Sequence, residues 1–170
     1  ANHGENVDFR ARYTDVVAQN KLSSAITLSS QGINLFLAGE EMGRSKDGDH
    51  NSYSSSPELN QIDWSLLTTN SDIVSYYKGM LEIRSVFSPF TAATTDESDD
   101  TFKYSFHTSM AGASKTIAYT VSNSAEGEWN KVAVIFNGAK TATNQTLSAT
   151  TDPSISEDTE WVIIANDKSS

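Results

Sequence analysis

The stretch from Ser30 to Trp64 constrains this chain most. It opens with a short apolar run, Ile33 to Ala38, interrupted only by Asn34. A Gly-Glu-Glu turn at positions 39–41 follows, then a polar loop dense in Asp, Asn, Ser and Tyr that closes at Ile62-Asp63-Trp64. A run this short, apolar on both faces, reads as a strand of a parallel sheet covered on both sides. A buried strand feeding a long polar loop is how many enzymes present substrate-binding residues.

The flanks support a β/α arrangement. From about Asp15 to Ser29 the pattern is helical, with Ala18, Leu22, Ala25, Ile26 and Ser29 on one face of a 3.6-residue period. Thr14 or Asp15 is expected to cap its start, and Gln31-Gly32 to stop it. After the loop, Asn70 or Ser71 caps a second helix over about 72–87. Its expected buried stripe is Ile73, Tyr77, Met80, Leu81, Arg84 and Phe87, and Pro89 ends it. Loops as long as 39–70 are usually functional or disordered. Tyr53, Leu59, Ile62 and Trp64 are the expected anchors that order this one.

Beyond Pro89 the texture changes. A Thr/Asp/Ser linker over 91–101 carries the acidic run Asp96 to Asp100. Short β-type runs follow at 102–106, 116–121, 131–136, 146–149 and 160–165, with turn signals at Glu126-Gly127 and Asn137-Gly138. That spacing predicts an antiparallel β-sandwich with Trp161 in its core. The fold class is therefore α/β plus all-β, with residues 1–90 and 91–170 as the two domains.

Composition narrows the partners. At 37% apolar and 20% charged residues, the chain has the balance of a globular domain with a polar surface. A formal net charge of −10 argues against nucleic acid, which selects for basic patches. No apolar run approaches the roughly 20 residues that span a bilayer. The absence of cysteine excludes disulfides, thiol catalysis and Cys-ligated zinc. Such acidic, Cys-free, Ser/Thr/Asn-rich chains are common among secreted and surface proteins of bacteria. The opening Ala1 to Asn6 lacks the basic start and apolar core of a signal peptide. It lies inside a polar stretch, as in a piece of a longer chain.

Several constellations invite chemistry. Asp47, Asp49 and Glu58 approach the oxygen spacing of an EF-hand calcium loop, but Ser52 stands where that loop needs glycine and Pro57 where its exit helix forms. A calcium-binding module built on 47–58 is thus one alternative. Glu40 and Glu41 are adjacent, so they point apart and make a poor acid/base pair for glycoside hydrolysis. His3, His50 and His107 share no triad or metal spacing, with His107 read as a surface residue of a strand. Neither a Gly-x-Ser-x-Gly elbow nor a phosphate-binding glycine loop occurs.

The motifs SQGI (30–33), AGEE (38–41), GDHNSY (48–53) and NQIDW (60–64) together resemble the end of the catalytic barrel of type I pullulanases, in the α-amylase family of glycoside hydrolases. Tyr76 to Gly79 and Ile83-Arg84 are similar to the family's last barrel helix. The resemblance covers about residues 15–90. It implies the last β/α unit of a (β/α)8 barrel, with 33–38 as its eighth strand, followed by an antiparallel β-sandwich. It further implies that the loop from Gly39 lies at the face where barrels bind substrate. The family's catalytic carboxylates follow strands four, five and seven, so none falls on this chain, which is expected to be inactive alone. What the resemblance implies here is substrate contact with an α-glucan: Asn51 for hydroxyl hydrogen bonds, Tyr53 for packing on a sugar face, then Arg44, Asp49 and His50. Asp63 and Trp64 are expected to anchor the loop. The remainder of the barrel would be the other partner, and residues 1–90 are not expected to fold stably without it. A non-catalytic carbohydrate-binding sandwich, using Trp129 or Trp161, is the second alternative.

Overall fold

The computed structural model describes residues 7–92, 102–108 (backbone only), 115–123, 126–142, 144–147, 149–150 and 152–166. The acidic run Asp96 to Asp100, His3 and the side chain of His107 lie outside the described residues.

Two long helices form where the periodicity placed them. Helix α1 spans Thr14–Leu28, and α4 spans Ser71–Val86. Between them lie two single-turn helices, α2 (Pro57–Asn60) and α3 (Leu66–Thr69), and 3-10 turns at Glu40–Met42 and Ser52–Ser54. The first residue before α1 is Tyr13, and neither Thr14 nor Asp15 caps it. Of the expected stripe on α1, Ala25 and Ser29 are buried and Leu22 packs against the core, but Ala18 and Ile26 are exposed and Ser24 and Leu28 are buried in their place. On α4 the expectation holds at Ile73, Tyr77, Met80, Arg84 and Phe87, but Leu81 faces out, and Tyr76 and Ile83 are buried in its place.

The chain then builds one antiparallel sheet in the order β1-β2-β3, from Phe102–Thr108, Thr116–Asn123 and Lys131–Asn137. The β1 register shifts around His107, a bulge that leaves Phe106 opposite Tyr119 and Thr108 opposite Ala118. On one face of the sheet, Val121 pairs with Val132 and Tyr119 with Val134. That face closes onto the helices: Tyr119, Val121, Val132 and Phe136 share one core with Ala25, Leu28, Ile73, Tyr77, Met80, Phe87 and Phe90. Phe87 is its centre, fully buried and edge-on to Phe90 at 5.0 Å. Glu128, on the β2–β3 connection, accepts from the Ser88 amide at 2.8 Å and so ties the sheet to the end of α4.

The opposite sheet face is closed by a buried ion pair. Asp152 accepts from Lys131 and, at 2.7 Å, from the Thr120 hydroxyl. Burial pushes the Asp152 carboxyl up, but the hydrogen bonds from Lys131, Ser154 and Thr120 outweigh it and hold the carboxyl below the usual range.

Three expectations differ from this structure. Residues 33–38 join no ladder, because no described strand lies beside them to take their amides and carbonyls. They are not buried on both faces either: Ile33 is 97% and Leu35 93% exposed. The runs 146–149 and 160–165 also form no strand among the described residues, so the sheet is single and no second sheet faces it. Trp161 is consequently 41% exposed rather than core.

Arg84 fastens the end of α1. Its Nη1 donates to Leu28 O at 2.9 Å and Ser30 O at 2.6 Å, and its Nη2 donates to Gly32 O. These carbonyls have no helical partner of their own, and a cation suits the helix C-terminus. Replacing Arg84 by alanine strands buried acceptors and is expected to cost about 3 kcal/mol. Arg84→Lys should recover little of it, since one ammonium cannot reproduce the forked geometry. Urea unfolding of the two variants checks this, and a loss below about 0.5 kcal/mol in Arg84→Ala would contradict it.

Candidate functional site

The candidate site is the loop that leaves residues 33–38. That segment alternates. Asn34 donates to Thr27 O at 2.6 Å, and the Phe36 ring lies 5.8 Å from Tyr77, so these two face the helices. Ile33, Leu35 and Leu37 point to solvent. The chain then turns sharply at Gly39, whose φ of 95° is in the left-handed region. A Cβ there would meet Arg44 Cδ at 2.6 Å, so glycine is required on both counts.

Glu40 and Glu41 shape this turn. Glu40 accepts from Tyr77 Oη at 3.3 Å and from the Leu37 amide at 3.3 Å, whereas Glu41 accepts from the Gly39 amide at 2.9 Å. The two carboxyls serve opposite sides of the turn and do not face each other across a cleft. Burial, and then the Glu40 charge beside it, push the Tyr77 hydroxyl up to about 12.

Further along, the five sequence-predicted contact residues separate into two sets. Arg44 is half-buried, and its guanidinium is committed to backbone: Nη1 donates to Ala38 O at 3.0 Å and Nη2 to Asn60 O. Asp49 accepts from the Asn51 amide at 2.8 Å and from the Ser55 hydroxyl at 2.6 Å, closing the 49–55 turn. The hydrogen bond from Ser55, then that from Asn51, hold its carboxyl below the usual range. His50, Asn51 and Tyr53 are exposed on the outside of that turn, Tyr53 at 87%. Tyr53 and Trp64 are therefore not the loop's anchors. Leu59 and Ile62 are half-buried and Met42 is fully buried, and a set of polar bonds holds the rest of the loop.

Sequence reasoning missed those polar anchors. Asn60 donates from Nδ2 to Ser52 O at 2.8 Å and Ser55 O at 3.1 Å, and its Oδ1 accepts from Lys46. Asn70 is buried, donates to Met42 O at 2.8 Å and accepts from Arg12 Nη1 at 2.7 Å. Its side chain is thereby diverted from capping α4. Arg10 holds Asp47 through Nε at 2.8 Å and Nη2 at 2.6 Å, and Phe9 packs so closely on Gly48 that a Cβ there would come within 2.8 Å of the ring. No fixed spacing links these residues, so no motif announces them.

The same contacts bear on the calcium alternative. Asp47 is engaged by Arg10 from the segment before α1, whereas Asp49 and Glu58 bond the nearby Ser55 and Ser56. Among the described residues no three His, Asp or Glu side chains converge as metal ligands would. Nor is any described helix long and apolar enough to cross a membrane.

Comparison with known proteins points one way. No family model matches the chain. The pullulanase of Bacillus subtilis (strain 168) is 34% identical over 73 residues, which is 43% of this chain and 10% of that protein. A glycogen debranching enzyme of Cronobacter sakazakii is 34% identical over 76 residues, 45% of this chain and 11% of that protein. A solved structure of a mutant pullulanase from Paenibacillus barengoltzii, complexed with maltotetraose, superposes with a TM-score of 0.68 at 32% identity, over 82% of this chain and 21% of that one. The chain carries a pullulanase-like region. The pullulanase of Bacillus acidopullulyticus superposes over 74% of the chain with a TM-score of 0.62 at 28% identity. The chain spans about a tenth of the length of the curated relatives it matches.

Burial of the Tyr77 hydroxyl, reinforced by Glu40 beside it, gives this pullulanase-like turn a pH dependence. An unfolded tyrosine ionises near pH 10, whereas Tyr77 keeps its proton in the fold to about 12. The unfolded state therefore loses its proton first, and stability falls as pH rises through that window, by an amount on the order of 2 kcal/mol. Tyr119, raised by burial, adds to the same loss. Tyr77→Phe is expected to flatten the decline of melting temperature between pH 9.5 and about 11.5, and an unchanged slope would refute the assignment.

Proposed function

We propose that this chain is part of a glycoside hydrolase that cleaves α-1,6-glucosidic linkages in pullulan, starch or glycogen. In this reading residues 1–90 are the last β/α unit of a (β/α)8 barrel and 91–170 its C-terminal β-domain. The chain contributes one wall of the substrate cleft, and the nucleophile and the acid/base carboxyl are supplied by other parts of the barrel. The reaction would proceed with retention, through a glycosyl-enzyme intermediate.

The observation that carries this reading is the alternation over 33–38. One face, Asn34 and Phe36, is seated on α1 and α4, and the other, Ile33, Leu35 and Leu37, is bare. Leaving three large aliphatic side chains in water forgoes about 1.5–3 kcal/mol each. A strand with helices on one side and a barrel interior on the other would cover them. Similarity to pullulanases, one of them solved with maltotetraose, supports the glucan as ligand.

Within the wall, Asn51 offers its amide to sugar hydroxyls and Tyr53 its exposed ring to a sugar face, with His50 beside them. Arg44 and Asp49 contribute by shaping the loop. In the full-length polypeptide, Tyr53→Ala is expected to raise KM for pullulan about tenfold with kcat nearly unchanged, the mark of lost ground-state binding. An unaltered KM would sink the assignment.

One observation favours a second reading for the β-region. Trp129 and Trp161, 38% and 41% exposed, line a single cleft of about 840 Å³ together with Asn130, Lys131, Thr159 and Glu160. Half-exposed indoles in a mainly apolar cleft that also holds several polar groups, with Val132, Val162 and Ile164 beside them, suit a non-catalytic carbohydrate site. Under this reading the chain is retained on insoluble starch and Trp161→Ala is not; passage of the unaltered chain in the flow-through rejects it.

A further inference from the structure

Within the turn that presents Asn51 and Tyr53, Asp49 bonds the Asn51 amide and the Ser55 hydroxyl, but the carbonyls of the turn need a donor from outside it. It is one 3-10 turn, Ser52–Ser54, and no side chain caps its start. A turn this short does not persist in water unaided. Tyr53, at 87% exposure, adds almost no burial to hold it. Yet both flanking carbonyls, Ser52 O and Ser55 O, converge on one group, the Nδ2 of Asn60, at 2.8 and 3.1 Å.

We propose that Asn60 is a positioning residue for glucan binding, a clamp whose single side-chain amide fixes the orientation of Asn51 and Tyr53. The inference rests on the reading that these two residues meet the sugar. Asparagine is suited to the task by its donor count. Both Nδ2 hydrogens are used by the two carbonyls, while Oδ1 accepts from Lys46. The clamp is itself anchored. Asn60 ends α2, where its amide donates to Ser56 O at 3.2 Å, and its own carbonyl accepts from Arg44. Arg44 reaches in turn to Ala38 O, so a polar relay joins the 33–38 segment to the turn through two side chains. The glucan-facing turn is thereby kept in register with the segment that would carry the barrel.

Asn60→Asp isolates the clamp. It is isosteric and keeps the acceptor for Lys46, but it removes both donors and sets a carboxylate against two carbonyls. In the full-length polypeptide, with pullulan as substrate, it is expected to raise KM about tenfold and to change kcat less than about twofold. Because Asn60 acts through Tyr53 as well as Asn51, Asn60→Asp combined with Tyr53→Ala should cost clearly less than the two single effects added together. A KM unchanged in Asn60→Asp while Tyr53→Ala raises it overturns the clamp and leaves the sugar wall standing, as does full additivity in the double variant. A KM unchanged in Tyr53→Ala brings down the sugar wall and the clamp with it. Should Asn60→Asp fail to fold, Asn60→Ser, which retains one donor, is judged by the same criteria.

Discussion

Arg84 is the interaction the rest of the structure depends on. A helix that ends in a protein interior leaves carbonyls that must find donors. Here α1 ends against α4, and Arg84 reaches across to Leu28, Ser30 and Gly32. Those bonds do more than close a helix. They direct the chain as it leaves α1, and so they set where residues 33–38 run and which of their side chains meet α4. Everything in the loop beyond Gly39 inherits that direction.

The loop itself is ordered by a different kind of force. Its apolar side chains are few, and the largest of them, Tyr53 and Trp64, are exposed. Order comes from side chains that satisfy backbone groups: Arg44 on Ala38 and Asn60, Asn60 on Ser52 and Ser55, Asn70 on Met42. Each such bond adds only about 1 kcal/mol net, but each missing one would leave a buried group unpaired at higher cost. A surface built in this way can keep its aromatic and amide groups free to face a ligand. The division between half-buried Arg44 and Asp49 and exposed His50, Asn51 and Tyr53 follows from it.

Much of the helical scaffold was legible because helices declare themselves locally. The period over 14–28 and 71–86 and the glycine after α1 needed no partner to be read. The buried face of α1 was only partly legible. Leu22, Ala25 and Ser29 of the expected stripe do turn inward, but Leu28 and Ser24 join them while Ala18 and Ile26 stay exposed. Strands are the harder case, since their hydrogen bonds lie outside the segment. Residues 116–123 and 131–137 found each other across a short connection and formed. Residues 33–38 and 160–165 have the composition of strands but join no ladder among the described residues. The loop's polar hubs were invisible for a related reason: Asn60 is bonded to positions 44, 46, 52 and 55, a set that no periodicity generates.

The sequence by itself determined the helices, the β-rich character of the second half, and the kinship carried by SQGI, AGEE, GDHNSY and NQIDW, because propensity, period and motif are properties of consecutive residues. Tertiary structure alone decided which apolar runs become paired strands and which stay bare. It also decided that Arg44 and Asp49 turn inward while Tyr53 turns out, and that Asn60 meets the carbonyls of both Ser52 and Ser55. Those outcomes depend on which donor meets which acceptor across the fold, and that is fixed only when distant segments are brought together.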